Sequence, residues 1–469
     1  MKSLALVLGF ASLPGVGAAQ DGSVSVRTNG GGAAPPVVVK NQGFLPFGDA
    51  PINYRTSKTL GDQITQLNRQ LEQGKAQLEY EPQHGYLKSV LKLLGVPENS
   101  QTLVFSKTSL QFQHIGPKTP RALYFNDNVY VGQVQNAKSL ELIAFDATQG
   151  AVFYVLGEQK VEQPRFERAQ LDCVQCHIAA GTRRIPGVVV RSVLTSAAGN
   201  PKGGAPLYTM GHETPLEDRW GGWYVTGSAL AQKHIGNYQG PNGTGGFGEN
   251  LPQLGGLIDT SRYLTPHSDI VAHLVLAHQT QMHNFVTETN YRYRLGLHAD
   301  QLQATKEGVA LKGPSENTRL QYEASAEATL RYLLFSNEVA LPAPVEGSSR
   351  FAAEFAALGP KDRQGRSLRD FDLNKRIFKF PCSYLIYSDA FDALPGPARD
   401  YILRRLFEVL TGRDQSEDFA TLTPEVRRGI LEILVDTKPG LPDDWARYLK
   451  SNPLSATIPP AQASAQLKR

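Results

Sequence analysis

The sequence predicts an α+β protein in which a small antiparallel sheet leads into a cysteine motif and a mainly α-helical C-terminal half follows. Two observations carry this prediction. Between Leu103 and Leu156, short apolar runs typical of strands alternate with turn-forming residues. Beyond residue 250, longer segments repeat apolar residues at helical spacing. The 469 residues are 41% hydrophobic and 20% charged, which is enough apolar material for a large core.

The chain begins with a pattern typical of an export signal. Lys2 gives a short positive start, residues 4–13 form an apolar run too short to cross a bilayer, and small residues extend to Ala19. We therefore predict a signal peptide over residues 1–19, cleavage near Ala19 and a periplasmic or secreted product, with a short buried helix as the alternative. Residues 20–53 contain NGGGAAPPVVV and are predicted to form a flexible linker.

Residues 54–250 are predicted to form a mixed α/β region that carries the cysteine motif. Two helices come first, over residues 60–71 and 86–94, and Gly95 with Pro97 is placed to stop the second. The strand-type runs LVF, ALYF, VYVGQV, LELIAF and AVFYVL follow, and VVVRSVL and WYVTG are candidates for further strands. The glycine-rich segment NYQGPNGTGGFGEN closes this region.

Residues 251–450 are predicted to form a mainly helical region that packs on the region before it. Thr423 and Pro424 make a good N-cap and first-turn pair for one helix. Other helical patterns lie at residues 268–294, 317–337 and 397–411. Residues 451–469 are predicted to be a disordered tail.

Charge and cysteine content exclude several classes of protein. Lys and Arg number 48 against 44 Asp and Glu, a net charge of +4 without a dense basic stripe, so we expect no nucleic-acid ligand. Three cysteines cannot staple a disulfide scaffold. No apolar run after the signal approaches the length of a membrane span. The hydrolase, zinc-protease and phosphate-loop motifs G-x-S-x-G, H-E-x-x-H and G-x-x-x-x-G-K are absent.

Residues 172–178 read DCVQCHI and carry the motif that predicts chemistry. Two residues separate Cys173 from Cys176, and His177 follows at once, which is the C-x-x-C-H spacing of covalent c-type haem attachment. Thiols at this spacing reach the two vinyl groups of one porphyrin, and the adjacent imidazole reaches the iron. We therefore predict one haem c, attached covalently through Cys173 and Cys176, with His177 as the proximal iron ligand.

On these five residues the chain resembles the c-type cytochromes, and more loosely the large bacterial proteins that carry a single cytochrome c motif. The segments TPRALYFNDNVYVG, RWGGWYVTG and FPCSYLIYSDAFDALP are similar in character to those large proteins. The resemblance implies an exported protein that transfers electrons to or from a redox partner protein or a small oxidant. A long folded region precedes the motif, so the compact fold of small cytochromes is not expected. Dihaem peroxidases resemble the chain in size and export, but they need two such motifs and this sequence has one.

Three alternatives to haem remain open for the cysteine pair. A zinc site could use C-x-x-C together with the series His273, His278 and His283. A thioredoxin-type redox pair is the second, although it favours a small residue with Pro or Gly between the cysteines. The third is an exported binding protein in which the pair forms a disulfide. Cys382 is predicted to be a buried, inert thiol.

The ligand on the far side of the iron decides between two functions. Met282 and His212 are the candidate distal ligands, because Met282 shares an apolar helical face with His278 and His212 follows the motif closely, beside Met210. A sixth ligand would favour electron transfer, whereas an open position would favour a haem enzyme of peroxidase or oxygenase type. Haem propionates could pair with Arg183 and Arg184, and the aromatic residues Trp220, Trp223 and Tyr224 could pack on a porphyrin edge or in the core.

Overall fold

The computed structural model of the chain describes residues 45–169, 171–230, 232–238 and 247–453, apart from the side chains of residues 171, 172 and 175. The predicted signal peptide, the linker up to residue 44 and the tail from residue 454 lie outside the described residues. The described residues belong to one compact unit.

The predicted antiparallel sheet is confirmed. The described residues form seven strands of this sheet: β1 Thr102–Val104, β2 Arg121–Phe125, β3 Val129–Gln133, β4 Ser139–Asp146, β5 Gly150–Gly157, β6 Glu167–Arg168 and β9 Trp223–Tyr224. Their order across the sheet is β6-β5-β4-β3-β2-β1-β9. Two small ribbons are separate from the sheet: β7 Arg191–Val193 with β8 Leu207–Thr209, and β10 Gly227–Ser228 with β11 Glu346–Gly347. VVVRSVL and WYVTG thus each supply short strands.

The predicted helical C-terminal half is also confirmed, so the protein belongs to the α+β class. The helices of the described chain are α1 Gln63–Glu72, α2 Leu87–Leu94, α3 Leu171–Cys176, α4 Ile270–Glu307, α5 Glu316–Leu333, α6 Phe351–Ala357, α7 Asp389–Asp392, α8 Gly396–Leu410, α9 Pro424–Thr437 and α10 Asp443–Ser451. The side chain of Thr423 caps α9 by accepting from the Val426 N–H, as its sequence position predicts. A search of these helices finds none with the length and apolar content of a membrane span.

Two helices differ from their predicted ends. The pattern predicts an end near Arg294, whereas α4 continues to Glu307 and stops at Gly308, which has φ +70°. Beyond Tyr291 the apolar pattern fades because most side chains of this last part of α4 are half-buried or exposed, while α5 packs alongside. Helix α5 ends at Leu333, before the predicted residue 337, because Phe335 takes a left-handed backbone conformation with φ +56°.

The two faces of the sheet enter two different cores because side chains alternate along each strand. On one face, residues such as Tyr124 pack with Ile64 of α1 and Leu91 of α2. On the other face, Phe125 and Phe153 belong to a larger core with the buried first half of α4. This second face positions the cysteine motif, because Cys173 packs against the larger core and the ring of Phe153 lies against His177.

Candidate functional site

Helix α3 presents both cysteines of the motif at the edge of the larger core. Cys173 is half-buried and packs against that core, whereas Cys176 is exposed, and no disulfide joins the chain's three cysteines. Residues three positions apart on a helix lie on one side of it, and the His177 N–H extends the turn by donating to the Cys173 carbonyl at 3.1 Å. The three motif residues therefore lie together on one helical turn.

The ring of His177 is held in one tautomer. Its Nδ1 lies 2.9 Å from the carbonyl oxygen of Gly187. A carbonyl only accepts hydrogen bonds, so Nδ1 carries the proton and Nε2 keeps its lone pair. Burial lowers the pKa of His177 to about 4, which keeps the ring neutral at neutral pH. The ring of Phe153 lies against it, with the centroids 4.8 Å apart.

The segment that supplies the Gly187 carbonyl is clamped by helix α4. The Asn284 amide donates to the Val188 carbonyl at 2.7 Å and accepts from the Val188 N–H at 3.0 Å. A Cβ atom at Gly187 would lie 2.3 Å from the Asn284 Oδ1, so only glycine fits between the histidine and the asparagine. Gln281 donates to the Gly181 carbonyl at 3.1 Å one helical turn earlier. Helix α4 thereby fixes the backbone that orients His177.

An ion-pair cluster ties the same loop to α4. Arg183 pairs with Glu288, and its guanidinium carbon lies 3.9 Å from the centre of the Phe285 ring. Arg292 pairs with the second oxygen of Glu288 at 2.7 Å. Burial raises the pKa of Glu288, but the two arginines outweigh this effect, so the net pKa is lowered. The positive charge of Arg183 is thus balanced by the carboxylate of Glu288. Arg184, the next residue, adopts a left-handed backbone conformation with φ +62°.

Both candidate distal ligands are fully buried in the larger core or beside it. Met282 packs in that core on α4. His212 has Nδ1 2.9 Å from the Nδ1 of His278 and Nε2 3.2 Å from the Ser336 carbonyl. Both ring nitrogens of His212 are therefore hydrogen-bonded, which leaves none for iron in this conformation. The Sδ of Met210 accepts a hydrogen bond from the backbone N–H of Trp220 at 3.3 Å.

A buried hydrogen-bond chain links residues that the sequence does not place together. The Nε2 of His278 lies 2.8 Å from the Ser383 hydroxyl. The Nδ1 of His278 forms one hydrogen bond with the Nδ1 of His212, so one of these two nitrogens carries the proton. Burial lowers the pKa of His212 to about 3 and that of His278 well below its usual value. The helical stripe indicated that His278 is buried, but a partner 105 residues away leaves no local signal.

The alternative zinc site has no support among the described residues. Each histidine of the series has different partners: His273 bonds with Ser268 and Tyr224, His278 with His212 and Ser383, and His283 with the Asp127 carbonyl. No three His, Cys, Asp or Glu side chains in the described ranges converge as metal ligands. Cys382 is fully buried, and burial raises its thiol pKa, as expected of an inert thiol.

The aromatic residues near the predicted strands serve the cores. Trp220 is fully buried, and the indole N–H of Trp223 donates to the Arg191 carbonyl at 2.7 Å. Tyr224 lies in the core on the side of α1 and α2. Packing in the core, one of the two predicted roles, therefore accounts for the cluster.

Comparison with known proteins adds no family to these findings. No protein-family model, curated protein or solved structure matches the chain. Functional inference consequently depends on the chemistry of the site.

Proposed function

We propose that the chain is an exported monohaem c-type cytochrome that transfers electrons to or from a redox partner protein or a small oxidant. Cys173 and Cys176 would hold the haem covalently, and the Nε2 of His177 would bind its iron. The single observation that carries this proposal is the hydrogen bond from His177 Nδ1 to the Gly187 carbonyl.

That hydrogen bond is the arrangement that a metal-binding histidine requires. Histidine ligands almost always donate their second ring N–H to a carbonyl or carboxylate, which fixes the tautomer, orients the ring and raises the basicity of the ligating nitrogen. Here the pKa of His177, lowered by burial to about 4, also keeps a proton off Nε2 at neutral pH. Haem bound at this position would supply reversible one-electron chemistry.

The residues around the motif support the same role by making the ligand rigid. Asn284 holds the Gly187–Val188 backbone through two hydrogen bonds, and Phe153 limits rotation of the imidazole. A ligand held by such outer contacts keeps one geometry through oxidation and reduction. The predicted export signal over residues 1–19 agrees with the proposal, because covalent haem attachment takes place outside the cytoplasm.

A haem enzyme of peroxidase or oxygenase type is the second candidate, and one observation favours it. Both ring nitrogens of His212 are already bonded to the His278 ring and the Ser336 carbonyl. If His212 keeps these partners and Met282 keeps its place in the larger core, neither candidate acts as a sixth ligand and the distal position stays open. A low-spin ferric spectrum that cyanide and peroxide leave unchanged would support electron transfer, and a high-spin spectrum that changes with either would support catalysis.

The proposal is tested by producing the full chain in a bacterium that has the machinery for c-type haem maturation. Wild-type protein should give a pyridine haemochrome spectrum of haem c with one haem per chain. The double variant Cys173→Ser/Cys176→Ser should carry no covalent haem, and the matched control Cys382→Ser should load normally, since Cys382 lies buried elsewhere. A colourless wild-type protein that is folded by circular dichroism would overturn the proposal.

A further inference from the structure

A small cavity lies between the end of α2, the β2–β3 turn and α6. Its volume is about 210 Å³. The walls are mostly apolar and include Leu91, Val96, Phe125, Phe351 and Phe355. A cavity of about 150 Å³ in another protein holds one benzene ring, so this volume suits a single aromatic ring with small substituents.

The amide donors that line the cavity are already used. Asn126 Nδ2 donates to the Leu94 and Gly95 carbonyls at 2.9 and 3.3 Å. Gln279 Nε2 donates to the Asn126 carbonyl and to the Tyr130 hydroxyl, both at 2.8 Å. A ligand that presents only acceptors would therefore find neither amide available, and Lys92 is the remaining side-chain donor among the described lining residues.

The acceptors that line the cavity have spare capacity. Glu354 accepts from Asn99 Nδ2 at 2.9 and 3.0 Å and lies 3.6 Å from the Arg350 guanidinium, which still leaves lone-pair positions on its oxygens. Asp127 pairs through Oδ2 with the buried Arg369, and no partner for its Oδ1 is found in the part of the chain that the structure describes. Because the lining combines these acceptors with the Lys92 ammonium, polar recognition at this cavity favours a group such as a hydroxyl, which both donates and accepts.

We propose that this cavity binds a single-ring aromatic compound that carries a hydroxyl group, of which a simple phenol is the model. The ring would contact the phenylalanine walls, and the hydroxyl would donate to the carboxylate of Glu354 or Asp127. A ring that carries a carboxylate instead would have no proton to donate to these two side chains. The cavity shares no residue with the Cys173–His177 motif, so this inference stands apart from the proposed function.

The test compares three probes of similar size on the purified full chain: p-cresol, toluene and 4-methylbenzoate. Isothermal titration should show p-cresol binding at one site at least about tenfold more tightly than toluene, and more tightly than 4-methylbenzoate, which has no proton to donate. In ¹³C-methyl spectra, p-cresol should shift the methyl signals of Leu91 and Val96, which needs no variant. Equal affinity for toluene and p-cresol, or unmoved methyl signals, would overturn the proposal.

The variant Glu354→Gln tests the acceptor directly. A hydrogen bond to a charged acceptor is stronger than one to a neutral acceptor, so p-cresol should bind roughly fivefold more weakly, while toluene binding stays the same. The matched control Glu316→Gln removes an exposed carboxylate on α5 and should change neither affinity. An unchanged p-cresol affinity in Glu354→Gln would refute the role of the carboxylate.

Discussion

Replacing Asn284 with alanine should strongly destabilise the protein, because Asn284 satisfies two backbone groups next to the proposed haem ligand. Its side chain is fully buried and bonds with the N–H and the carbonyl of Val188 at 3.0 and 2.7 Å. Alanine would remove both bonds and leave two buried polar groups without a partner. Each such group costs about 1–3 kcal/mol, so Asn284→Ala should lower the free energy of unfolding by about 2–6 kcal/mol.

The assay is urea unfolding followed by far-UV circular dichroism, with Asn290→Ala as the matched control on the same helix. Asn290 is equally well buried, but its bonds to Ala393 and Arg294 are longer, at 3.4 and 3.2 Å. Asn290→Ala should lower the free energy of unfolding by less than about 1 kcal/mol, in the lower half of the range for single hydrogen bonds. The reasoning would be refuted if Asn284→Ala stayed within about 0.5 kcal/mol of wild type, the range of ordinary surface substitutions.

Three further predictions concern charge and exposure. Burial raises the pKa of Glu288, but its arginine partners lower it on balance. Glu288→Gln should therefore be less stable than wild type at pH 7. In urea unfolding, the difference in free energy of unfolding between the two proteins should become smaller at pH 3.5. Burial lowers the pKa of His283 to about 4, so only the unfolded chain binds a proton there at pH 4.5–6 and acid destabilises the fold. His283→Gln should reduce the slope of the free energy of unfolding against pH in this range by up to about 1.4 kcal/mol per pH unit. In protein made without haem maturation, a thiol reagent should label exposed Cys176 at once and Cys382 only in urea; early labelling of Cys382 would contradict its burial.

The sheet was predictable because its signals are local. Alternating apolar runs bounded by turn residues predict β2 to β5, and the turn between β2 and β3 forms as its residue types suggest, with the Asn126 side chain accepting from the N–H groups of Asn128 and Val129. The end of α4 was not predictable in the same way. Its last part packs beside α5 with little burial, so no apolar stripe marks it.

The candidate site was likewise predictable only where its residues are close together in the sequence. Cys173, Cys176 and His177 are adjacent in sequence, so their spacing alone predicts the attachment chemistry. The contacts that orient His177 come from Gly187 and Asn284, and no sequence pattern connects an asparagine on a distant helix with a glycine in this loop. The same applies to Arg183, whose partner Glu288 lies 105 residues further along the chain.

The mass of the intact mature chain tests the central claim most directly. Protein produced by a host competent in cytochrome maturation should be denatured in acid and measured by mass spectrometry. Covalent haem adds about 616 Da and survives this treatment, and peptide mapping should place the addition on the peptide with Cys173 and Cys176. A mass equal to that of the bare polypeptide, or lower by the two hydrogens of a disulfide, would contradict the account.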